Sequence, residues 1–392
     1  MRPVQSSARP PLAARAAVRE LEGSRIRELA DAAQARDDLI PLWFGEAQEP
    51  TPRFIREAAA RALEQGHTTY APNLGLPALR QALSDYVSAL HGRPIGPERI
   101  AVTASGVNAL MLSAQCLLAP GGRVVMTTPH WPNLREIPHI VGARTQAVAL
   151  ELRDGRWQLD LERFIDALTP DVRVALVNSP ANPSGWVLDR EGQRAILEHC
   201  RRHGIWLIAD EVYERIYFEG TSAPSFLDIA EPGDRLLVVN SFSKAWSMTG
   251  WRLGWIVAPA ALLPDLAKLI EYNVSCATTF VQHAGIAAVR DGEPFVQEVA
   301  GRYARARDLV CQRLNALPNV TMPRPQGGFY AFFRVDSERD SMALAKRLLE
   351  QTGVGLAPGI AFGPSGEGSL RLCFAASLPR LEDALDRLAG VL

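Results

Sequence analysis

Between residues 100 and 258, six short β-branched or apolar runs (IAVTA, RVVMT, VRVALVN, IWLIA, RLLVVN and GWIVA) alternate with helical patterns. Runs without a polar alternate face belong in a sheet buried on both sides, and helical connections suit parallel pairing. The chain is thereby constrained to a mainly parallel α/β sheet covered by helices. Ahead of the sheet, Thr51 and Pro52 give an N-cap and first-turn signal for a helix that the Ile55, Ala59, Leu63 spacing carries to Gly66. A second helix over about 76–90 puts Leu79, Leu83, Tyr86, Val87 and Leu90 on one face, with Gly92 just past its end. After about residue 285 the pattern becomes helix, NVTM, FYAFFRV, a helix near 342–351, LRLCFA and a last helix, which reads as a smaller α+β unit.

Charge and cysteine usage exclude several function classes. A net charge of -1 and a pI near 6.7 give no basic field to hold a nucleic acid backbone or an anionic membrane surface. The five cysteines, Cys116, Cys200, Cys276, Cys311 and Cys373, form no CxxC pair, and no histidines are spaced for a metal. A reducing compartment follows. No apolar run reaches membrane-spanning length and the start lacks a secretory core, so the expected location is cytoplasmic. Arg2, Arg9, Arg15 and Arg19 precede any acid, loosely like a transit peptide, but Leu21, Ile26 and Leu29 already read as an amphipathic helix, so the first residues read as a terminal arm.

In open parallel sheets, ligands bind beyond the carboxyl ends of the strands, and four runs here end in polar groups. These are Ser105-Gly106-Val107, Asn182 within NSPANPSG, Asp210, and Asn240-Ser241-Phe242-Ser243-Lys244. A helix starting at Ser105 offers backbone N–H groups to an anion such as phosphate. Gly106 permits close approach, Ser241 adds a hydroxyl and Arg252 a charge-assisted pair. Singly, each has a blander account: helix capping for the Ser-Gly pair, a surface ion pair for Arg252, an N-cap or structural ion pair for Asp210. A carboxylate directly after an apolar run nevertheless needs a buried positive partner. Of 42 basic residues only Lys244, Lys268 and Lys346 are lysines; the last two lie in helical, solvent-facing contexts where any long cation serves, and Lys244 does not.

The segment SFSKAWSMTGWRLGW resembles the cofactor-lysine signature of class I/II aminotransferases of fold type I. NSPANPSG and ADEVY are similar to two companion motifs in the same order, 28 residues from Asn182 to Asp210 and 34 from Asp210 to Lys244. The likeness runs from roughly Leu42 to Phe374 through GEAQEPTP, YAPNLGLPALR, TASGVNAL, PHW, GGFYAFF and GSLRLCFA. It implies a PLP-transferase-like α/β fold: a large domain over 46–285 with a mainly parallel seven-stranded sheet sandwiched by helices, and a smaller α+β domain made of 1–45 and 286–392. It also implies pyridoxal 5′-phosphate as cofactor and a homodimer with shared active sites. Position by position, Lys244 would hold the cofactor as a Schiff base and Asp210 would pair with the pyridine nitrogen, while Asn182 and Tyr213 would bind the ring oxygen and Trp131 would stack on the ring. The amides of Ser105, Gly106 and Val107, with Ser241 and Arg252, would take the phosphate, and Tyr70 would reach the phosphate of the neighbouring subunit. Arg371 would clamp the substrate α-carboxylate beside Gly45 and Asn182. Two departures stand out: Ser105 where glycine is common, and EAQEP in place of a GEPDF-like run, an altered entrance that bears on side-chain specificity.

The implied reaction moves an amino group from an L-amino acid to a 2-oxo acid. Lys244 serves both as the amine that binds the cofactor and as the base at Cα; an arginine could do neither, since guanidinium does not deprotonate. β-Elimination, decarboxylation and a cyclopropane-forming elimination share the same motifs. A regulatory domain that only senses the cofactor is the reading from another class; about forty residues precede GEAQEP, with no basic recognition helix among them. Nicotinamide and nucleotide enzymes fit poorly, because no G-x-G-x-x-G opens a helix after a strand and no Gly-Lys-Ser/Thr occurs. Segment 271–285 contains no arginine for a second substrate carboxylate, and Trp43, Trp246 and Phe362 hint at an apolar pocket.

Overall fold

A computed structural model describes residues 13–34, 36–336 and 338–392; Arg2 and Arg9 of the terminal arm lie outside these residues. All six apolar runs are strands of one sheet. Its order is Ile100–Thr103, Gly254–Val257, Leu236–Ser241, Trp206–Asp210, Val172–Asn178, Arg123–Thr128, Arg144–Arg153 and Arg156–Leu159. The five strands from Leu236–Ser241 to Arg144–Arg153 pair in parallel, and Gly254–Val257 runs antiparallel to both neighbours. The sheet has eight strands rather than the seven expected. The eighth, Arg156–Leu159, folds back on Arg144–Arg153 around Asp154 and Gly155, both at positive φ, and an Asp-Gly pair is a strong hairpin signal. This hairpin is half exposed at the sheet edge, so its sequence lacks the apolar continuity of the central runs.

Successive side chains of a strand point to opposite faces, and the two faces have separate cores. Leu207 and Ala209 face one core with Val102, Val177 and Val238, roofed by Ile55, Leu79 and Leu83 from the two early helices. Ile208 faces the other core with Met126, Leu176 and Val239, covered by Leu110 and Ile270. Of those early helices, Pro77–His91 ends on Gly92 at φ 63, as read. The other, Arg53–Glu64, starts after Pro52 without a side-chain cap. Thr51 instead donates to the Ser247 carbonyl at 2.6 Å and accepts from Trp251 Nε1 at 2.9 Å, a tertiary use that removes it from capping.

The second part of the fold is a four-stranded antiparallel sheet in the order Val320–Thr321, Tyr330–Val335, Ser369–Cys373, Ala357–Pro358. It packs with helices Glu293–Asn315, Ser341–Thr352 and Leu378–Ala389 around Val310, Phe333, Leu348 and Leu385. Helix Arg25–Ala32 buries Ile26 and Leu29 in this core, and Ile40–Pro41 pairs in parallel with Val354–Gly355. The 23-residue helix Glu293–Asn315 spans the two parts, with Val296 in the large-sheet core and Val299 in the second. Among the described residues no helix is long and apolar enough to cross a membrane.

Candidate active site

Where the carboxyl ends of the large sheet face the second part lies a cleft of about 630 Å³. Ser24, Ile26 and Arg27 of the early chain close one side of it. Of the residues singled out by sequence, Gly45, Gly106, Val107, Trp131, Asn182, Asp210, Tyr213, Ser241, Lys244, Arg252 and Arg371 all line this cleft.

Lys244 sits on the single helical turn Phe242–Ala245, which strand Leu236–Ser241 leads into directly. Ser241 caps the turn by accepting from the Ser243 amide at 3.1 Å, and Phe242 anchors it in the core against Trp246 and Trp255. The Lys244 amine donates to the Gly45 carbonyl at 2.6 Å and stands 5.4 Å from the Tyr213 ring centre and 5.5 Å from that of Phe329. Burial in this apolar setting pushes its pKa down to about 8. Position 45 has to be glycine, because a Cβ there would lie 1.9 Å from the Tyr330 hydroxyl.

Asp210 ends strand Trp206–Asp210 and is only 2% exposed. Its side chain accepts one long hydrogen bond, from the Val212 amide at 3.4 Å, and has no ion pair among the described residues. Burial pushes it up to about 7, against the pull of the Val212 amide and the Lys244 charge. Nearby, Asn178 donates to the Asp210 carbonyl at 3.1 Å and accepts from the Asn182 amide at 2.9 Å, which fixes the NSPANP loop beside the strand end. The Tyr213 hydroxyl bonds that of Tyr330 at 2.6 Å; burial raises both phenols well above the ordinary value.

At the other end of the cleft, helix Gly106–Leu117 begins after Ser105, whose hydroxyl accepts from the Asn108 amide at 3.0 Å. Ser105 itself is buried behind the cleft wall at φ 134, ψ 166. Strand Gly254–Val257 runs so close that a Cβ at Gly254 would lie 2.7 Å from the Gly106 nitrogen. Ser241 lies beside this helix start, its Cβ 3.2 Å from where a Cβ at Gly106 would stand, and Arg252, at φ 54, also lines the cleft.

Arg371, 2% exposed on strand Ser369–Cys373, donates to Asn182 Oδ1 at 2.7 Å and to the Trp43 carbonyl. Its guanidinium lies 4.5 Å from the Tyr330 ring centre and 4.7 Å from that of Phe362, and its Nε is buried without a partner. The side chains of Trp43, Trp246 and Phe362 are all core residues rather than cleft walls; Phe362 packs beneath the Arg371 guanidinium, and Trp43 reaches the site only through its carbonyl. Tyr70 does not join the cleft: it is 87% exposed on the protein surface.

Sequence reading missed Tyr330, which touches Tyr213, Arg371 and the space at Gly45, and it missed Arg27 at the cleft mouth. The GGFYAFF match pointed at Tyr330 without giving it a role. Arg27 had only the amphipathic helix around it.

A family model described as aminotransferase class I and II matches residues 37–388. The aspartate aminotransferase of Pyrococcus horikoshii is 33% identical over 95% of each chain. The aromatic-amino-acid aminotransferase 2 of Thermococcus litoralis is 31% identical over 94% of this chain and 95% of its own. The solved aspartate aminotransferase of Thermus thermophilus with maleate superposes with a TM-score of 0.90 at 34% identity, covering 96% of this chain and 98% of that one. The chain belongs to the class I and II aminotransferases, a pyridoxal-phosphate-dependent family, and has the two-part fold of its solved relatives.

Proposed function

We propose that this chain transaminates L-amino acids and 2-oxo acids through Lys244, with pyridoxal 5′-phosphate held between Asp210 and the start of helix Gly106–Leu117. The carrying observation is the pair of buried groups at the cleft floor: an amine held near pKa 8, and a carboxylate near 7 that lacks a hydrogen-bonded cation. Such a carboxylate fits a ligand that brings its own N–H cation, as a protonated pyridine ring does. When bound, the cofactor supplies an aldehyde that captures primary amines and a ring that accepts the electron pair left at the substrate Cα.

In this reading Asp210 holds the proton on the ring nitrogen, Asn182 and Tyr213 bind the ring oxygen, and Trp131 stacks on the ring. The main-chain amides of Ser105, Gly106 and Val107 face the phosphate, with Ser241 and Arg252 adding a hydroxyl and a charge. Arg371 takes the substrate α-carboxylate: its orphaned buried Nε asks for an acceptor, and Gly45 leaves room beside it. Lys244, whose burial favours the neutral amine, removes the Cα proton through Nζ. The same amine returns that proton.

Tyr70 is exposed outside its own cleft, which suits a residue serving a neighbouring protomer's phosphate, and Tyr272 is similarly bare at 89% exposure. A homodimer with shared sites accounts for both. Segment 46–285 forms the cofactor domain and 1–45 with 286–392 the second, a division supported by Ile26, Leu29 and Leu42 packing in the second core. Five unpaired cysteines suit a reducing cytoplasmic setting.

Lys244→Ala should abolish turnover, by at least ~10⁴-fold, while leaving the fold intact. Borohydride treatment of the coloured wild-type protein should fix the cofactor at Lys244. Retained turnover in the variant, or label on another residue, refutes the reading, and an assay for ammonia beside the 2-oxo acid separates transamination from β-elimination.

A further inference from the structure

A run of buried polar side chains crosses the large-sheet part of the molecule and ends at Ser241. Its far end is His91, the last residue of helix Pro77–His91, with a side chain only 3% exposed. The His91 Nδ1 lies 2.7 Å from Asp228 Oδ1, and Nε2 lies 3.3 Å from Glu214 Oε1. Asp228 is held in turn by the Arg190 guanidinium and by the Ser225 amide, which donates to it at 3.1 Å. The other Glu214 oxygen, Oε2, accepts from Asn240 Nδ2 at 3.2 Å, and Asn240 Oδ1 accepts from the Ser241 amide at 2.8 Å. From there Ser241 Oγ accepts from the Ser243 amide, on the turn that carries Lys244.

The order of donors and acceptors along this run is fixed by its carboxylate. Glu214 accepts, so Asn240 has to present its N–H₂ to Glu214, which leaves its carbonyl oxygen for the Ser241 N–H. Without Glu214 the Asn240 amide is free to turn over, and its N–H₂ would then face the Ser241 N–H, donor against donor. The strand needs this brace at that point. Strand Trp206–Asp210 pairs with its neighbour only as far as Val239, so Asn240 and Ser241 have no strand partner on that edge. On the other edge the fit is tight: a Cβ at Gly254 would lie 2.9 Å from the Asn240 carbonyl oxygen and 2.7 Å from the Gly106 nitrogen. Ser241 is thus wedged between strand Gly254–Val257 and the start of helix Gly106–Leu117, and a small slip of the strand end moves its hydroxyl against Gly106.

We infer that Glu214 and Asn240, braced by His91, are positioning residues that hold Ser241 in place for the cofactor phosphate. This rests on the reading that Ser241 and the helix start take that phosphate. None of His91, Glu214 and Asn240 lines the cleft, so each acts through Ser241 rather than on the ligand. A chain of hydrogen bonds that fixes one side chain at a ligand transmits the loss of any link to that side chain, while parts of the site held by other contacts keep their geometry. Lys244, held by the Gly45 carbonyl, and Asp210, on the neighbouring strand, belong to those other parts.

The test measures dissociation constants of pyridoxal 5′-phosphate and of pyridoxal, which lacks the phosphate, for the cofactor-free protein by absorbance titration. Asn240→Ala and Glu214→Ala should each weaken the phosphorylated ligand about 10-fold, the worth of one net hydrogen bond, and leave pyridoxal unchanged. Glu214→Gln keeps an oxygen for Asn240 Nδ2 and should recover most of that affinity. In a Ser241→Ala background, Asn240→Ala should add little, since both act through one hydroxyl. Equal weakening of both ligands would mark a merely structural role and overturn the inference, as would unchanged affinities or full additivity with Ser241→Ala. Should Glu214→Ala fail to fold, Asn240→Ala decides alone, because it leaves the His91 contacts with Glu214 and Asp228 in place. If the wild-type protein binds pyridoxal as tightly as its phosphate, Ser241 is not at a phosphate site and the cofactor reading itself fails.

Discussion

The turn after strand Trp206–Asp210 holds three buried carboxylates, and the protein treats the two sides of that turn differently. Facing away from the cleft, Glu211 accepts from the Ser225 hydroxyl at 2.6 Å and the Phe226 amide at 3.0 Å. Glu214 lies 3.3 Å from His91 and accepts from Asn240 at 3.2 Å, and His91 is held in turn by Asp228 at 2.7 Å. Facing the cleft, Asp210 has one long backbone contact. Burial raises the pKa of all three; Glu214 Oε1 has no hydrogen bond but faces His91, whereas Asp210 has no ion pair among the described residues. Buried charge that is structural is satisfied from within the chain; buried charge that is functional waits for its ligand.

The sharpest way to break this contrast is to neutralise each side by one atom. Asp210→Asn should lower turnover by roughly 10²–10⁴-fold, the span of a positioned proton partner. It should also change the pH dependence of the cofactor-free protein. With a folded pKa of about 7 against 3.8, native Asp210 keeps a proton that the unfolded chain releases. Its contribution to stability therefore falls as pH rises from about 4 to 7, by about 4 kcal/mol over three units, and Asn at 210 should remove that slope in denaturant titrations. Glu211→Gln should instead cost about 1–3 kcal/mol of stability, because an amide N–H₂ would face a donor, while leaving turnover within about tenfold. Equal losses of turnover at both positions would show that the two sides are not distinct.

Arg371→Ala extends the contrast to a cation. Its orphaned Nε predicts a loss in kcat/KM for every amino acid, of about 2–5 kcal/mol for removing one partner of a buried charged pair. Weakening confined to one substrate class would place the α-carboxylate elsewhere.

How much of this was legible in the sequence depended on whether a residue's surroundings are local. Lys244, Asp210 and Asn182 follow apolar runs directly, so strand and polar end are read together. Tyr330 gives no such sign: it matters because the antiparallel register sets Phe332 opposite Arg371 and Tyr330 opposite Cys373, and because Gly45, far earlier in the chain, leaves space for its hydroxyl. Arg27 is equally silent, since its meaning comes from a helix docking on a core built by residues nearly three hundred positions later. Thr51 was misread for the same reason, its hydroxyl being claimed by Ser247 and Trp251 across the fold.

Ser105 supplies the smallest and most specific test, because here local sequence and local geometry disagree. At φ 134, ψ 166 it occupies a region that is nearly reserved for glycine and costs other residues about 1–3 kcal/mol. In return its hydroxyl caps the helix at the Asn108 amide, a contribution that glycine at an N-cap forfeits by only about a few tenths of a kcal/mol. Ser105→Gly should therefore stabilise the cofactor-free protein by about 1 kcal/mol, read as a higher denaturation midpoint at unchanged m-value. Cofactor affinity measured on the same variant then decides what the strain is for. If affinity is unchanged, the serine is a tolerated local cost with no part in holding the ligand. If affinity falls while stability rises, Ser105 belongs with Asp210, as a residue kept in an unfavourable state for what the cleft binds.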